Sequence, residues 1–341
     1  MIAEGAELRW PAMPTAAWPC PALPAAELAP RTTLRVGGSC EWLLEPRNPD
    51  ELAAAWCAAR ERGLPVRVLG GGANLIVPDG MLPGVVLTTE RLTRAFRPSS
   101  APSSTEGEGD EFSPSLPALA TDDADARLVV WAGYSLLALV RVTRDLGWSG
   151  FEGLAGVPGH LGGGVAMNAG GRHGCVWDVV EAVRVLTPAG EVRHLTRGEC
   201  APRYRDGNLG GALVLGAVLR FRKDDRAAVK ERVAEYLRAK GAAQPLTERS
   251  CGCIFKNPDP ARSNGRTAGQ LIEAAGAKGL ARGDAVVSEK HGNFIVNRGR
   301  ARAADVLALI DDVRARVAER FGLLLEDEVK VWRVEEPATT G

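Results

Sequence analysis

Two glycine-rich loops, GGGANL at residues 70–75 and GFEGLAGVPGHLGGGVAMNAGG at 150–171, restrict what this chain folds into more than any other feature. Glycine lets a backbone turn through positive φ and bring successive N–H groups up to an anion, so such loops serve as sharp turns or as phosphate cradles. Neither completes a better-known pattern. A P-loop ends in Gly-Lys-Ser/Thr, which is missing, and the fingerprint G-x-G-x-x-G needs its third glycine where Leu75 stands. Each loop alone is weak. The pair, so near in sequence, points to a large phosphorylated cofactor lying between two subdomains.

The segments around the loops read as α/β. Residues 1–30 are a proline-rich, acidic-starting stretch without a secretory h-region, read as an irregular leader. Residues 31–92 form the first subdomain: RTTLRVGGSCEWLLEP leads into a helix with Asn48 as N-cap, Pro49 at the first position, Glu51 completing a capping box and Gly63 at the far end. Residues 97–126, rich in serine, proline and acid, read as a disordered acidic loop between the strands GVVLTTERL and RLVVWAG. A second subdomain covers 128–222, so that 31–222 is one cofactor-binding region. From Lys223 the composition turns charged and helical, which places a boundary there. A last domain then spans 223–334, followed by a tail at 335–341. Its closing helix carries Val306, Ile310, Val313 and Val317 on one face and ends at Gly322.

Charge is balanced, 42 basic against 42 acidic residues, which argues against a nucleic-acid or membrane-surface partner. Seven scattered cysteines, an odd number, read as reduced thiols of a cytoplasmic protein. Nothing reaches 18 consecutive apolar residues, so no membrane span is expected. The stretch SCGCIFKNP at 250–258 is then ambiguous among a metal clip, a disulfide remnant and a chemical site. Its two thiols are half the ligand set of a structural zinc, and His160, His173, His194 and His291 show no partner spacing, so no metal is expected.

Taken in order, TTLRVGG, LGGGANL, FEGLAGVPGHLGGGVAMNAGG, YRDGN, CGCIFKNP, AGQLIEAAGAKG, SEKHGNFIVN and LEDEVKVW resemble the UDP-N-acetylenolpyruvoylglucosamine reductase family over roughly residues 31–332. The resemblance implies an α+β protein with a two-subdomain FAD-binding region of the vanillyl-alcohol-oxidase type and a C-terminal α+β substrate-binding domain. It implies non-covalent FAD, NADPH as co-substrate, a UDP-sugar substrate, a monomer and a place in peptidoglycan precursor synthesis. Carried over by position, Gly70, Gly71, Gly72, Ala73, Asn74 and Leu75, with Gly156, Val157, Pro158, Gly159, Gly162 and Gly163, would wrap the FAD, and Asn168 would lie near the flavin. Cys253 falls where the family has a proton-donating serine, with Arg205 and Glu328 as catalytic partners. Tyr204, Lys256 and Asn257 would bind substrate, and Cys251 is a packed neighbour.

The implied reaction adds hydride to an enolpyruvyl carbon and a proton to its neighbour, leaving charge that spreads into the substrate carboxylate. A guanidinium suits that carboxylate, the role implied for Arg205, and Glu328 would donate only if burial raises its pKa. A thiol, with a reference pKa of about 8.5, is protonated near pH 7 and chemically competent in the serine's place. Bland alternatives stay open. Glu326 is a register alternative to Glu328, Arg203 neighbours Arg205, and His291 is equally a structural histidine. Arg172 and His173 replace a commoner alanine-tyrosine pair, Gly207 and Ala73 replace commoner serines, and Arg31 stands where asparagine often does. An oxidase on the same scaffold, or a silent flavin-binding module, are the competing readings.

Overall fold

The computed structural model of the chain describes residues 18–97 and 125–334. The expected leader before residue 18, nearly all of the acidic loop and the tail after 334 lie outside the described residues. In chain order the first unit carries β1 (Ala22–Glu27), β2 (Ser39–Leu44), α1 (Pro49–Glu61), β3 (Val66–Leu69), β4 (Leu75–Ile76) and β5 (Met81–Thr88). Its sheet runs β1-β2-β5-β3, antiparallel only between β1 and β2. Parallel neighbours need a crossover, and α1 provides it while burying Leu52, Ala55 and Ala59. Asn48 caps α1 as the sequence suggests, accepting from Glu51 N at 2.8 Å, whereas the Glu51 carboxylate turns to Arg47 N at 2.9 Å.

Strand β1 corrects the reading of residues up to 30 as irregular. Trp18, Cys20 and Leu28 are buried, and Ala22–Glu27 pairs with β2. Pro24 and the lack of β-branched residues hide this strand from sequence, and both are tolerated because it lies at the sheet edge.

The second unit holds β6 (Ala95–Phe96), β7 (Asp125–Trp131), α2 (Leu136–Leu146), β8 (Trp148–Ser149), α3 (Leu161–Ala166), β9 (Gly170–Gly171), β10 (Gly174–Cys175), β11 (Val180–Leu186), β12 (Val192–Thr196), α4 (Arg197–Cys200), β13 (Leu213–Lys223) and α5 (Arg226–Ala243). Its sheet runs β12-β11-β13-β7-β6 and is antiparallel throughout. The core beneath it joins Leu128, Val130, Leu139, Phe151, Trp177 and Phe221. Helix α5 corrects the boundary expected at Lys223. Val233 belongs to this second core, and Arg232 Nη2 reaches the buried Glu152 at 2.8 Å, so the break falls after Ala243.

The third unit carries β14 (Ser250–Cys253), α6 (Pro260–Ser263), α7 (Ala268–Ala274), β15 (Ala281–Arg282), β16 (Ala285–Val287), β17 (Phe294–Asn297), α8 (Ala303–Phe321) and β18 (Lys330–Val331). The sheet order is β14-β17-β16-β15, and α8 buries Val306, Ile310, Val313 and Val317 against it, ending at Gly322 with φ 64°. Several fasteners bind this unit to the first, three of them as follows. β18 pairs in parallel with β4, Asn297 Nδ2 donates to Leu34 O at 3.0 Å, and the Asp79 carboxylate accepts from Ala303 N and Ala304 N at 3.0 Å each, at the start of α8. Among the described residues no helix is long and apolar enough to cross a membrane.

Candidate active site

The two glycine loops meet face to face. A Cβ on Gly71 would lie 2.7 Å from Gly159 Cα, and one on Gly72 would lie 2.3 Å from Arg31 O, so both positions exclude any side chain. Gly72 also takes φ 59°. Among the described residues, the backbone N–H groups of Gly71, Gly72, Ala73 and Asn74 donate to no one. In the second loop Val157 N and Gly162 N are spent on Leu154 O and Ala132 O, leaving Gly156, Gly159 and Gly163 with unengaged N–H groups. Such convergent free donors are what an anion requires. Asn168, at φ 47°, donates from Nδ2 to Arg203 O at 2.9 Å, while its buried Oδ1 has no partner among the described residues. The donor set therefore fits a dinucleotide with a polar ring edge near Asn168.

The SCGCIFKNP stretch begins as β14 and breaks its register at Gly252, whose φ is 81°. In a regular strand residues 251 and 253 would share a face; the bulge separates them, so Cys251 is fully buried in the core and Cys253 is left partly accessible. Asn293 then acts as a surrogate strand. Its Oδ1 accepts from Phe255 N at 2.9 Å, its Nδ2 donates to Phe255 O at 2.8 Å, and its own carbonyl accepts from Ile254 N at 3.0 Å. On the other side Glu328 N donates to Ile254 O at 2.8 Å, which sets Glu328 beside the cysteine segment. Asn74 ties the first glycine loop to the same place, its Nδ2 donating to Glu328 O at 3.1 Å.

Arg205 arrives from a third segment with φ 57°. Nη1 donates to Gly170 O at 2.9 Å, and Nε lies 2.8 Å from Glu328 Oε1 in a close ion pair whose N–H points off the line to the oxygen. Nη2 makes no hydrogen bond or ion pair among the described residues. Cys253 senses both charges. Its thiol is pushed up to about 12, by burial first and then by the Glu328 carboxylate, with Arg205 opposing. Burial likewise holds the Glu328 carboxyl above the usual carboxylate range, against the pull of Arg205 and Lys256. Residues 205, 253 and 328 thus converge on one spot.

The other expected site residues are dispersed. Tyr204 is 58% exposed, with Arg205 Cζ 5.2 Å from its ring. Lys256 is half-exposed and 3.6 Å from Glu326, and Asn257 Oδ1 is engaged by Ala268 N at 3.0 Å, at the start of α7. His291 is packed structurally: Nδ1 accepts from Asn293 N at 3.2 Å and its ring meets Phe294 edge-on at 4.9 Å. His173, at the tip of the β9–β10 hairpin, stacks on Tyr236 with centroids 4.0 Å apart. Gly207 has a structural reason, since a Cβ there would be 2.3 Å from Val165 O.

Sequence reasoning missed three contributors. Lys240 on α5 donates to Ala155 O at 2.7 Å, and burial together with the charge of Arg205 pushes its ammonium down to about 8. Asn293 was not singled out, and in the far wall of the cofactor cleft, formed by Arg31, Thr33, Thr88 and His160, only Arg31 and His160 drew notice, neither as a cofactor contact. None of these has a local signal, because each acts on residues distant in sequence.

Residues 244–332 match the family described as UDP-N-acetylenolpyruvoylglucosamine reductase, C-terminal domain, and residues 41–101 and 115–196 match an FAD binding domain. The UDP-N-acetylenolpyruvoylglucosamine reductase of Acaryochloris marina is 37% identical over 316 residues, 92% of this chain and 93% of its own length. That of Myxococcus xanthus is 40% identical over 304 residues, 89% of each chain. The crystal structure of the Thermus caldophilus enzyme superposes with a TM-score of 0.70 at 35% identity, covering 92% of this chain and 98% of that one.

Proposed function

This chain belongs to the UDP-N-acetylenolpyruvoylglucosamine reductase family, and from that premise we propose how its residues divide the work. It is an FAD-dependent oxidoreductase that reduces the enolpyruvyl group of UDP-N-acetylglucosamine enolpyruvate to give UDP-N-acetylmuramate, in peptidoglycan precursor synthesis. NADPH is the proposed electron donor, and bound FAD would supply the hydride. The free N–H groups of Gly71 to Asn74 and of Gly156, Gly159 and Gly163 would hold the cofactor's phosphates and chain, with the Asn168 amide toward its ring system.

The convergence of Arg205, Cys253 and Glu328 is the observation that carries the assignment of roles. Arg205 has Nη2 left to receive the substrate carboxylate, where a permanent charge stabilises the electron density that accumulates when hydride arrives. Cys253 gives its proton to the adjacent carbon, and its thiolate is later reprotonated from solvent. Burial keeps that thiol protonated at neutral pH, which a donor needs, and brings it toward the behaviour of the family's hydroxyl. Glu328, its carboxyl raised, orients Arg205 and is poised to share a proton with the same carboxylate. Lys256 and Tyr204, at the open side, would meet the UDP portion.

The test is anaerobic. Protein reduced by NADPH should be reoxidised on adding the enolpyruvyl UDP-sugar, with UDP-N-acetylmuramate as product. Flavin that NADPH bleaches but the UDP-sugar leaves reduced would defeat the substrate assignment, and failure of NADPH to bleach it would defeat the donor assignment.

A further inference from the structure

Against the Gly71 turn of the cofactor cleft is a cavity of about 190 Å³. This is below the roughly 300–1,000 Å³ of a whole ligand site, so it accepts one segment of a ligand. Gly70, Gly71, Thr33, Thr88 and Arg31 are among the residues that line it. Arg31 is anchored at both ends. Its carbonyl abuts Gly72 so closely that a Cβ there would be 2.3 Å away, and its guanidinium is gripped by carboxylates. Nη2 lies 3.0 Å from the buried Glu45, which Arg91 also holds at 2.7 Å, and Nη1 contacts Glu90, whose side chain is 59% exposed.

Arg31 and Arg35 line this cavity against the single carboxylate of Glu90, and Arg91 and Glu45 line the neighbouring one that shares Arg31 and Glu90, so positive charge is in excess. Ala73 brings only a methyl, and the glycine turn therefore offers backbone donors without a side chain of its own. Glu45 is fixed by burial and by two arginines. Glu90 is solvent-exposed and can be displaced at little cost.

We propose that Arg31 is a phosphate ligand of the bound dinucleotide, its Nη1 exchanging Glu90 for a pyrophosphate oxygen while Glu45 keeps the guanidinium aimed into the cleft. The proposal rests on the FAD reading above. A bidentate-capable cation suits a diphosphate, and neutralising it supplies the charge that neutral N–H donors lack.

The experiment titrates the full chain, stripped of flavin, with FAD and with riboflavin, following flavin fluorescence at low and moderate salt. Arg31→Gln is expected to raise the FAD Kd at least fivefold, to flatten its salt dependence and to leave riboflavin binding unchanged. Glu90→Gln, which frees the guanidinium, is expected to bind FAD as tightly as the parent or more so. A smaller change in Arg31→Gln, or an equal loss of riboflavin binding, overturns the proposal. So does equal weakening by Glu90→Gln, which would make the ion pair a latch instead. Failure of the unmodified protein to bind FAD would sink the cofactor reading and this proposal with it, whereas tight FAD binding that ignores residue 31 sinks the proposal alone.

Discussion

The glycine turn at 70–75 and the cysteine segment at 250–257 meet through Asn74 and Glu328, yet they are built in opposite ways. The turn works by what it leaves out. Its donors are main-chain N–H groups, and Gly71 and Gly72 are required because a Cβ would be 2.7 Å or 2.3 Å from neighbouring backbone. The cysteine segment works by what it holds in place: a thiol on a bulge, a carboxyl from the segment leading into β18 and a guanidinium from a third segment. The first should fail when an atom is added, and the second when one is removed. Cofactor affinity and proton delivery should therefore be separable by mutation.

The largest effect expected from that separation is at Cys253. Cys253→Ala should bind FAD and accept hydride from NADPH at a near-normal rate, because flavin reduction needs no proton on the substrate. Reoxidation by the enolpyruvyl substrate should slow by about 10²–10⁴-fold, the range for a lost general acid. Cys253→Ser should recover much of it, and Cys251→Ser, fully buried, should change stability more than rate. Stopped-flow absorbance reads each half-reaction. Equal slowing of both halves would break the division between the two regions.

Gly71→Ala tests the other side. Its methyl would have to displace Gly159 or His160, so the FAD Kd should rise by about tenfold or more, as expected when a close backbone approach is blocked. Reoxidation per bound flavin should stay within a fewfold of the parent when FAD is saturating. A variant that binds FAD normally but reoxidises slowly would show that the turn shapes the proton-delivery site directly.

The same contrast explains what was legible in the sequence. Helix α8 was readable because its buried stripe repeats locally and Gly322 follows it, and the Asn48 cap was readable because its acceptor and donor lie three residues apart. The glycine loops announced an anion without specifying which. The Arg205, Cys253 and Glu328 set came only through resemblance to a family, since no spacing rule joins residues so far apart. Strand β1 was hidden because a proline-containing edge strand owes its form to its partner. The boundary at 223 was misplaced because a charged helix reads as solvated until the buried Glu152 is seen beneath Arg232.

Asn293 sharpens the comparison at lower cost. Asn293→Ala leaves Phe255 N–H and C=O unpaired in a buried setting, a penalty of about 1–3 kcal/mol per group. The melting temperature should fall by several degrees, and reoxidation should slow by roughly tenfold through loss of Cys253 placement, short of the general-acid loss. FAD affinity should be nearly unchanged. A kcat loss at constant KM marks positioning of the thiol, whereas a fall in stability with normal reoxidation would make Asn293 structural only.

The smallest effect concerns Lys240, which lies behind Arg205 and belongs to the side-chain-built half. Its ammonium is pushed down to about 8 by burial and by Arg205, against about 10.4 for an unfolded lysine. Between those values the unfolded chain binds more protons than the folded one, so this group's contribution makes the protein more stable as pH rises from about 8 toward 10.4. Below pH 8 the folded protein carries a charge it would rather lose, and the handicap is constant. Lys240→Met removes the handicap along with the bond to Ala155 O, and only the first of these depends on pH. Relative to the parent, the variant's melting temperature should therefore be flat from pH 6.5 to 7.5 and should decline above pH 8, by a degree or two in all. A difference that grows with pH would mean that Lys240 is stabilised as a cation, and that the ground beside Arg205 is less positive than the geometry indicates.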